Sequence, residues 1–393
     1  MLASTYPRWD EDPEPGFVHE LAKRLTGGFE VRVICPHAGG TRTREIVDGV
    51  EVIRFRYAPG SLETLVNNGG MVANLRNSPW KSLLLPGYAL GMIFAILRES
   101  IRRRPDVVHA HWIIPQGLLY LAAGLVRSSP LMVTSHGADL FALRGPMFAS
   151  LRRFVASKAR LLTVVSPAMK ERLISEGVAA DKIFVAPMGV DFHERFTPGA
   201  PEIRSSNELL FVGRLVEKKG LSVLIQAMPE ILLACPAATL TVGGFGPEEA
   251  DLRKLCESLG LSGQVTFMGA VKQVDLPRYY RRAALFIAPF VEAASGDQEG
   301  LGLVALEAAG CGCPVIISDM PATREVFDTR VTPGSPPALA AAVIAQLAAT
   351  REARAELAGS QRQRLVSSYD WSSASQVYSN LLSSILDGGQ VHE

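Results

Sequence analysis

Two carboxylates, Glu299 and Glu307, stand eight residues apart, with Gly300, Gly302 and five apolar residues between them. The run from Leu301 to Ala309 reads as a buried helix. A strand precedes it at 284–289 and another follows at 314–318, so the stretch is one strand–loop–helix–strand unit. Glycines at a helix start leave backbone N–H groups and the positive end of the helix dipole available to an anion. Glu299 is expected in the loop above that start, and Glu307 about two turns further along. One carboxylate can then face a ligand's sugar and the other its opposite end. The same spacing also fits an ordinary buried helix carrying one satisfied Glu.

Arg214 and Lys219 flank a turn that follows the strand Glu208–Val212. A guanidinium fork and a point ammonium aimed at one place suit a diphosphate. Because Glu217, Lys218 and Lys219 are consecutive, the competing reading is a solvated charged loop. Gly243-Gly244-Phe245-Gly246 matches half of a dinucleotide fingerprint; Glu249 stands where the third glycine belongs, so the match argues little for NAD. In the first half, Gly16 precedes a helix, while His109, His111, His136 and Asp139 fall at the C-terminal ends of two strands. Ligands of open α/β sheets sit beyond those ends. No Walker motif, Ser-His-Asp order, HExxH or Cys/His metal spacing is present.

The elements that must position these groups alternate strand and helix across 393 residues, a length that suggests two domains. The first is read as 1–190 and the second as 191–370, divided at the turn-rich stretch with Pro198 and Pro201. A C-terminal helix at 371–386 is expected to pack back on the first domain. Met1 to Ala3 make a curtailed first strand with no signal-like segment before it. A helix follows at 17–25. Asn67 to Gly70 lie within 59–81, a stretch expected to be a functional loop or lid. A single helix is expected at 116–126 and another at 337–357. With 40 basic and 39 acidic residues, a dedicated nucleic-acid binder is disfavoured. Cys35, Cys235, Cys256, Cys311 and Cys313 read as reduced thiols of a cytoplasmic protein. The 16 residues from Ser82 to Leu97 are apolar, shorter than the ~20 a span needs, and lead into Arg98, Arg102, Arg103 and Arg104. They read as a buried domain helix or as a surface touching anionic lipid on the inner face of a membrane.

Taken together, Gly213-Arg-Leu…Lys219-Gly220, Gly246-Pro247, Val265-x-Phe-x-Gly269, Glu299-x7-Glu307, Cys313-Pro-Val-Ile-Ile-Ser-Asp319 and Glu325-Val resemble the C-terminal half of glycosyltransferase family 4. Pro105-Asp-Val-Val-His-Ala-His111, Ser135-His136-Gly137, Val165-Ser166 and Pro187-Met-Gly-Val-Asp191 resemble its N-terminal half. The resemblance covers nearly the whole chain. It implies an α/β, GT-B fold of two facing Rossmann-like βαβ domains with an interdomain cleft, and a retaining transfer of a sugar from a nucleotide donor to a glycan or lipid-linked acceptor. Arg214 and Lys219 would neutralise the donor diphosphate. Gly16 and the amides of Gly300, Leu301, Gly302 and Leu303 would hold phosphate or sugar. Glu307 would take the ribose hydroxyls, Glu299 the sugar hydroxyls near the reacting carbon, and His136 would sit by the donor sugar. Gly269 to Val271 would lie against the base. No metal or other cofactor is expected, because two cations and two helix N-termini already oppose the diphosphate charge.

Three departures bear on these roles. Met188 stands where the family often has Asn, an Ala-Ala-Ser-Gly insertion precedes Asp297-Gln-Glu299, and one glycine, Gly16, stands where many members have two. A nucleotide-sugar epimerase on a similar scaffold and a non-catalytic nucleotide-sugar-binding subunit are the competing readings.

Overall fold

The computed structural model describes residues 1–9, 12, 16–67, 70–124, 128–200, 204–324 and 326–388. The acidic turn at 10–15 apart from Asp12, and Asn68, Gly69, Val126, Pro201 and Glu325, lie outside the described residues. The chain divides into two compact units, Met1–Met188 with Ala374–Glu393, and Gly189–Ser373.

In the first unit Leu2 bridges in parallel to both Ile34 and Ala110. Helix α1 (Phe17–Leu25) follows, with Val18, Leu21, Ala22 and Leu25 turned inward. Strands β1 (Arg32–Pro36), β2 (Arg44–Val47) and β3 (Val50–Phe55) come next, then helices α2 (Met71–Asn77) and α3 (Leu85–Arg102). The remainder alternates: β4 (Val108–His111), α4 (Leu118–Ala123), β5 (Leu131–Ser135), α5 (Pro146–Lys158), β6 (Leu161–Val164), α6 (Pro167–Ser175) and β7 (Ile183–Val185). With Leu2 between β1 and β4, the strand order is β2-β3-β1-Leu2-β4-β5-β6-β7. Every pair is parallel except β2 with β3. Strands β4, β5 and β6 are buried along their whole length, as interior strands of a parallel sheet are.

The stretch 59–81, expected to be a functional loop or lid, contains short helical pieces. Two 3-10 turns, Gly60–Leu62 and Pro79–Leu84, flank α2. Glu63 anchors the stretch from inside: His37 Nδ1 lies 2.5 Å from its carboxylate, and the Tyr57 N–H donates to it at 3.3 Å. Helix α3 then lies backbone to backbone on the chain leaving β3. A β-carbon at Gly87 would stand 2.3 Å from the Tyr57 carbonyl oxygen, and one at Gly91 2.5 Å from that of Arg56. Tyr88, Met92, Ala95 and Ile96 face inward, while Leu83, Leu90, Phe94 and Ile101 are exposed. Residues 79–102 are long and apolar enough, by length and composition, to cross a membrane.

The second unit is a six-stranded parallel sheet. Its elements run β8 (Glu208–Val212), α7 (Leu221–Ala234), β9 (Thr239–Gly243), α8 (Glu249–Ser258), β10 (Val265–Gly269), α9 (Leu276–Arg282), β11 (Leu285–Ala288), α10 (Leu303–Gly310), β12 (Val315–Ser318) and β13 (Arg330–Val331). Helices α11 (Pro336–Ala348), α12 (Arg351–Tyr369) and α13 (Trp371–Leu386) close the chain. The single helix expected at 337–357 is broken, because Thr350 caps a new one by accepting the Ala353 N–H. Alternate residues of β8, β9 and β11 (Leu209, Phe211, Leu240, Val242, Leu285 and Ile287) join Leu224, Ile225, Met228, Leu339 and Val343 of α7 and α11 in one core. The strand order β10-β9-β8-β11-β12-β13 reverses direction between β8 and β11. The loops leaving those two strands therefore diverge at their C-terminal edge, the place where such sheets bind ligands.

Candidate functional site

That reversal is where the second unit collects its charges. The loop after β8 ends in a 3-10 turn, Glu217–Lys219, and Gly220 follows with φ +68°. A β-carbon there would stand 1.8 Å from the Pro289 carbonyl oxygen, so only glycine lets this loop press against the end of β11. Lys219 Nζ lies 2.7 Å from Glu299 Oε2, with side chains 12% and 16% exposed, and 4.8 Å from the centre of the Phe290 ring. The solvated-loop reading of 217–219 is thus corrected: Glu217 is exposed, but both lysines are withdrawn from water. Burial alone would raise the Glu299 carboxyl. The charges of Lys219, Lys218 and Arg214 outweigh it and hold the group at about 2. Burial presses the Lys219 ammonium down from its ordinary value, against the pull of Glu299.

Lys218 and Asp297 carry a task that the sequence reading missed. The Lys218 ammonium lies 3.2 Å from Asp297 and donates to the Gln298 carbonyl. The Ala294 N–H donates to Glu217, and the Val291 N–H to the Lys218 carbonyl. The inserted Ala293–Gly296 segment closes on itself as a turn, with the Gly296 N–H on the Ala293 carbonyl. The loop that bears Glu299 is therefore pinned to the loop that bears Lys219. No sequence period signals this, because the partners are 79 and 80 residues apart.

Gly302 opens α10 with φ +81°, and a β-carbon on it would meet the Phe290 ring at 2.9 Å. The helix has no side-chain cap, so its first N–H groups are left to the site. Leu303 is its first residue; Gly300 and Leu301 lie in the loop before it, both buried. Glu307 consequently sits about one turn into the helix rather than two. It is buried and accepts the Tyr280 hydroxyl at 2.9 Å, and burial pushes its carboxyl up to about 7. Gly269 ends β10 with φ +73° and accepts the Gly244 N–H at 2.7 Å, with Val271 half-buried beyond it. The glycines at 243–246 serve packing: a β-carbon at Gly244 would stand 1.8 Å from the Gly213 carbonyl oxygen, and one at Gly246 2.4 Å from that of Leu215. That packing explains the partial fingerprint without a dinucleotide.

The first unit gathers rings instead of charges. Gly16 precedes α1 as its N-cap residue, again without a side-chain cap. Phe17 places its ring 4.7 Å from that of His136 and 6.2 Å from that of Trp112. Trp112, directly after β4, has φ +82°, rare for a bulky side chain. Its N–H donates to the Thr134 carbonyl at 2.7 Å. His111 and His136 lie edge to edge and nearly coplanar, with centres 5.2 Å and planes 14° apart, and their Nδ1 and Nε2 atoms are 3.0 Å apart. His109 lies deeper, within 2.6 Å of the Thr134 hydroxyl. Burial lowers all three imidazoles, His136 to about 3. Asp139 is corrected to a scaffold residue: it is buried and accepts the Ile113 N–H at 2.6 Å and the Ser135 hydroxyl at 2.8 Å. Of the strand-end group, His136 alone is half-buried; His109, His111 and Asp139 are shut in.

Residues 17–194 match the family model described as glycosyltransferase family 4, and residues 195–364 the one described as glycosyl transferases group 1. The chain is 30% identical over 316 residues to the D-inositol 3-phosphate glycosyltransferase of Pseudarthrobacter chlorophenolicus, covering 72% of this chain and 73% of that one. It is 29% identical over 271 residues to the GDP-mannose-dependent alpha-(1-6)-phosphatidylinositol monomannoside mannosyltransferase of Mycobacterium tuberculosis, 65% of this chain and 70% of that one. Among solved structures, sucrose-phosphate synthase from Thermosynechococcus elongatus superposes with a TM-score of 0.78 at 20% identity, over 95% and 93% of the two chains. The fold is the two-domain α/β fold called GT-B. The chain belongs to glycosyltransferase family 4, and it is an enzyme that transfers a sugar from a nucleotide-sugar donor. The epimerase and binding-subunit readings are not favoured.

Proposed function

We propose that the enzyme moves a hexose from a nucleoside-diphosphate sugar to a glycan or lipid-linked acceptor, with retention at the anomeric carbon, in polysaccharide or glycolipid synthesis. The observation that carries this reading is the Lys219–Glu299 pair, 2.7 Å apart at the strand-order reversal, with the charge of Arg214 acting on both. Cleaving a sugar–diphosphate bond builds negative charge on the leaving phosphate and positive charge on the anomeric carbon. Preorganised positive groups at the phosphate lower that barrier by several kcal/mol, since loss of one such donor costs ~2.7–4 kcal/mol. Arg214, Lys219 and the first N–H groups of α10 supply them, without a metal ion being needed. An arriving diphosphate competes for Lys219, which turns Glu299 toward the sugar hydroxyls. Glu307 takes the ribose, Gly269 and Val271 lie along the base, and His136 and the α1 start at Gly16 serve the sugar side. Same-face attack assisted by the departing phosphate accounts for retention.

An acceptor carried on lipid fits the outer face of α3. Leu90, Phe94 and Ile101 are exposed there, and Trp80 and Leu83 are exposed in the turn before it. Arg98, Arg102, Arg103 and Arg104 close the helix with exposed basic side chains that suit an anionic bilayer surface. Sedimentation with anionic and neutral vesicles tests this; equal, weak binding to both would refute it.

A donor panel scored by nucleoside-diphosphate release tests the reaction. GDP-mannose comes first, because the mycobacterial relative is named for it. NMR of the product gives the anomeric configuration. An altered free donor sugar with no acceptor product would overturn the transferase reading.

A further inference from the structure

We propose that His111 is a positioning residue that fixes the ring proton of His136 on Nδ1, so that His136 presents a hydrogen-bond donor, and no base, to whatever lies against it. The inference rests on the reading of His136 as a sugar-side residue for its catalytic consequence, and on geometry alone for the proton itself.

His111 ends β4 and is fully buried, with Nδ1 facing Nε2 of His136 at 3.0 Å. Its other nitrogen, Nε2, has no hydrogen-bond partner among the described residues. Both rings are held neutral by burial, so one proton lies between them. Two arrangements exist. If His136 Nε2–H donates, His111 must carry its own proton on Nε2, and a buried N–H is left with no acceptor. If His111 Nδ1–H donates, its Nε2 is a bare lone pair. Among backbone groups, orphaned buried N–H donors are rarer than under-satisfied acceptors, and the same asymmetry applied to the ring favours the second arrangement. His136 then accepts at Nε2 and must carry its proton on Nδ1.

The identity of that nitrogen matters only if the ring cannot turn over, and its surroundings prevent that. His111 meets it edge to edge through the 3.0 Å contact, with the planes 14° apart, while Phe17 and Trp112 crowd the ring at 4.7 and 5.0 Å. Trp112 is held there by a backbone in the left-handed region and by its N–H on the Thr134 carbonyl. Strain of this kind persists where the surroundings over-determine it.

The test uses the full chain labelled with 15N-histidine. It contains seven histidines, and His136→Ala assigns the relevant signal. Long-range 1H–15N spectra are expected to show His136 protonated on Nδ1 in the wild type. The signal should shift toward the Nε2–H form in His111→Leu. It should stay in His111→Asn, whose side-chain amide can replace the Nδ1–H donor. Transfer should fall about tenfold in kcat in His111→Leu with donor KM little changed, and His111→Asn should recover most of it. An Nε2–H signal in the wild type overturns the proposal without any variant, and so does a tautomer unmoved by His111→Leu. Full transfer by His136→Ala would instead overturn the sugar-side reading of His136, while the spectra still decide the proton.

Discussion

The two units place their candidate groups at equivalent positions, beyond the C-terminal ends of parallel strands, yet solve the cost of burial in opposite ways. In the first unit no carboxylate among the described residues pairs with the imidazoles of His109, His111 and His136, and burial lowers all three. In the second, Lys219 and Glu299 are partly withdrawn from water but each supplies the other's counter-charge, and Lys218 and Arg214 add to the field that holds Glu299 down. One half is a neutral, ring-lined surface, and the other is a preset field. The proposed function divides accordingly: it assigns charge development on a leaving diphosphate to the second unit and orientation of hydroxyl-rich partners to the first.

The largest effect should come from breaking the field. Glu299→Gln keeps the loop, since Lys218 and Asp297 still pin it, but transfer should fall about a hundredfold or more, in the range seen when one preorganised electrostatic group is lost. Near-wild-type turnover in a folded Glu299→Gln protein would sink its role. Next, Arg214→Ala and Lys219→Ala should each weaken nucleoside-diphosphate binding about tenfold, and the double variant by less than the product, because both act on one group. Calorimetry with the free diphosphate measures this, and unchanged affinity in both single variants would rule the pair out.

The comparison also fixes opposite pH trends. His136 titrates at about 3 when folded against 6.5 in its ordinary state, so the unfolded chain takes up protons first as pH falls. Stability from this group is complete above 6.5 and is lost on the way down to 3, with a slope of at most about 1.4 kcal/mol per pH unit. Glu307 runs the other way: folded near 7 against 4.5, it contributes fully below 4.5 and loses that contribution as pH rises to 7. Hydrogen exchange at pH 5 and 7, corrected for intrinsic rates, should show β4 and β5 losing protection at pH 5 and α10 gaining it. The same sign in both regions would break the contrast. The smallest effect is expected from chelation. With the positive charge supplied by Arg214, Lys219 and the start of α10, initial rates with and without EDTA at matched ionic strength should agree within about twofold. Loss of activity restored by Mg²⁺ or Mn²⁺ would show that this charge accounting is incomplete.

The sequence carried the fold wherever burial was two-sided or a helix face was continuous. Residues 17–25, 208–212 and 371–386 are elements with the bounds their patterns suggest. It hid β2, whose Ile46 is 77% exposed and gives no inward alternation. It also hid the break at Thr350, because alanine-rich sequence on both sides keeps a helical period across the cap. In the site, Arg214, Lys219, Glu299 and Glu307 stand out by residue type and spacing. Lys218, Asp297 and Tyr280 do not, since their value comes from partners distant in the chain. Trp112 is hidden for another reason: a left-handed backbone at a non-glycine residue leaves no mark in composition.

The seating of α3 has a consequence for how this surface can change. Gly87 and Gly91 let the helix lie close against the chain leaving β3, and its buried residues, Tyr88, Met92, Ala95 and Ile96 among them, are on that inner side. Residues such as Leu83, Leu90 and Phe94 are then decoupled from folding, and exposed substitutions of this kind usually stay within ±0.5 kcal/mol. The inner side is locked at two glycines, while the outer side is open to wholesale exchange. A lineage could re-dress that face without disturbing the sheet beneath it.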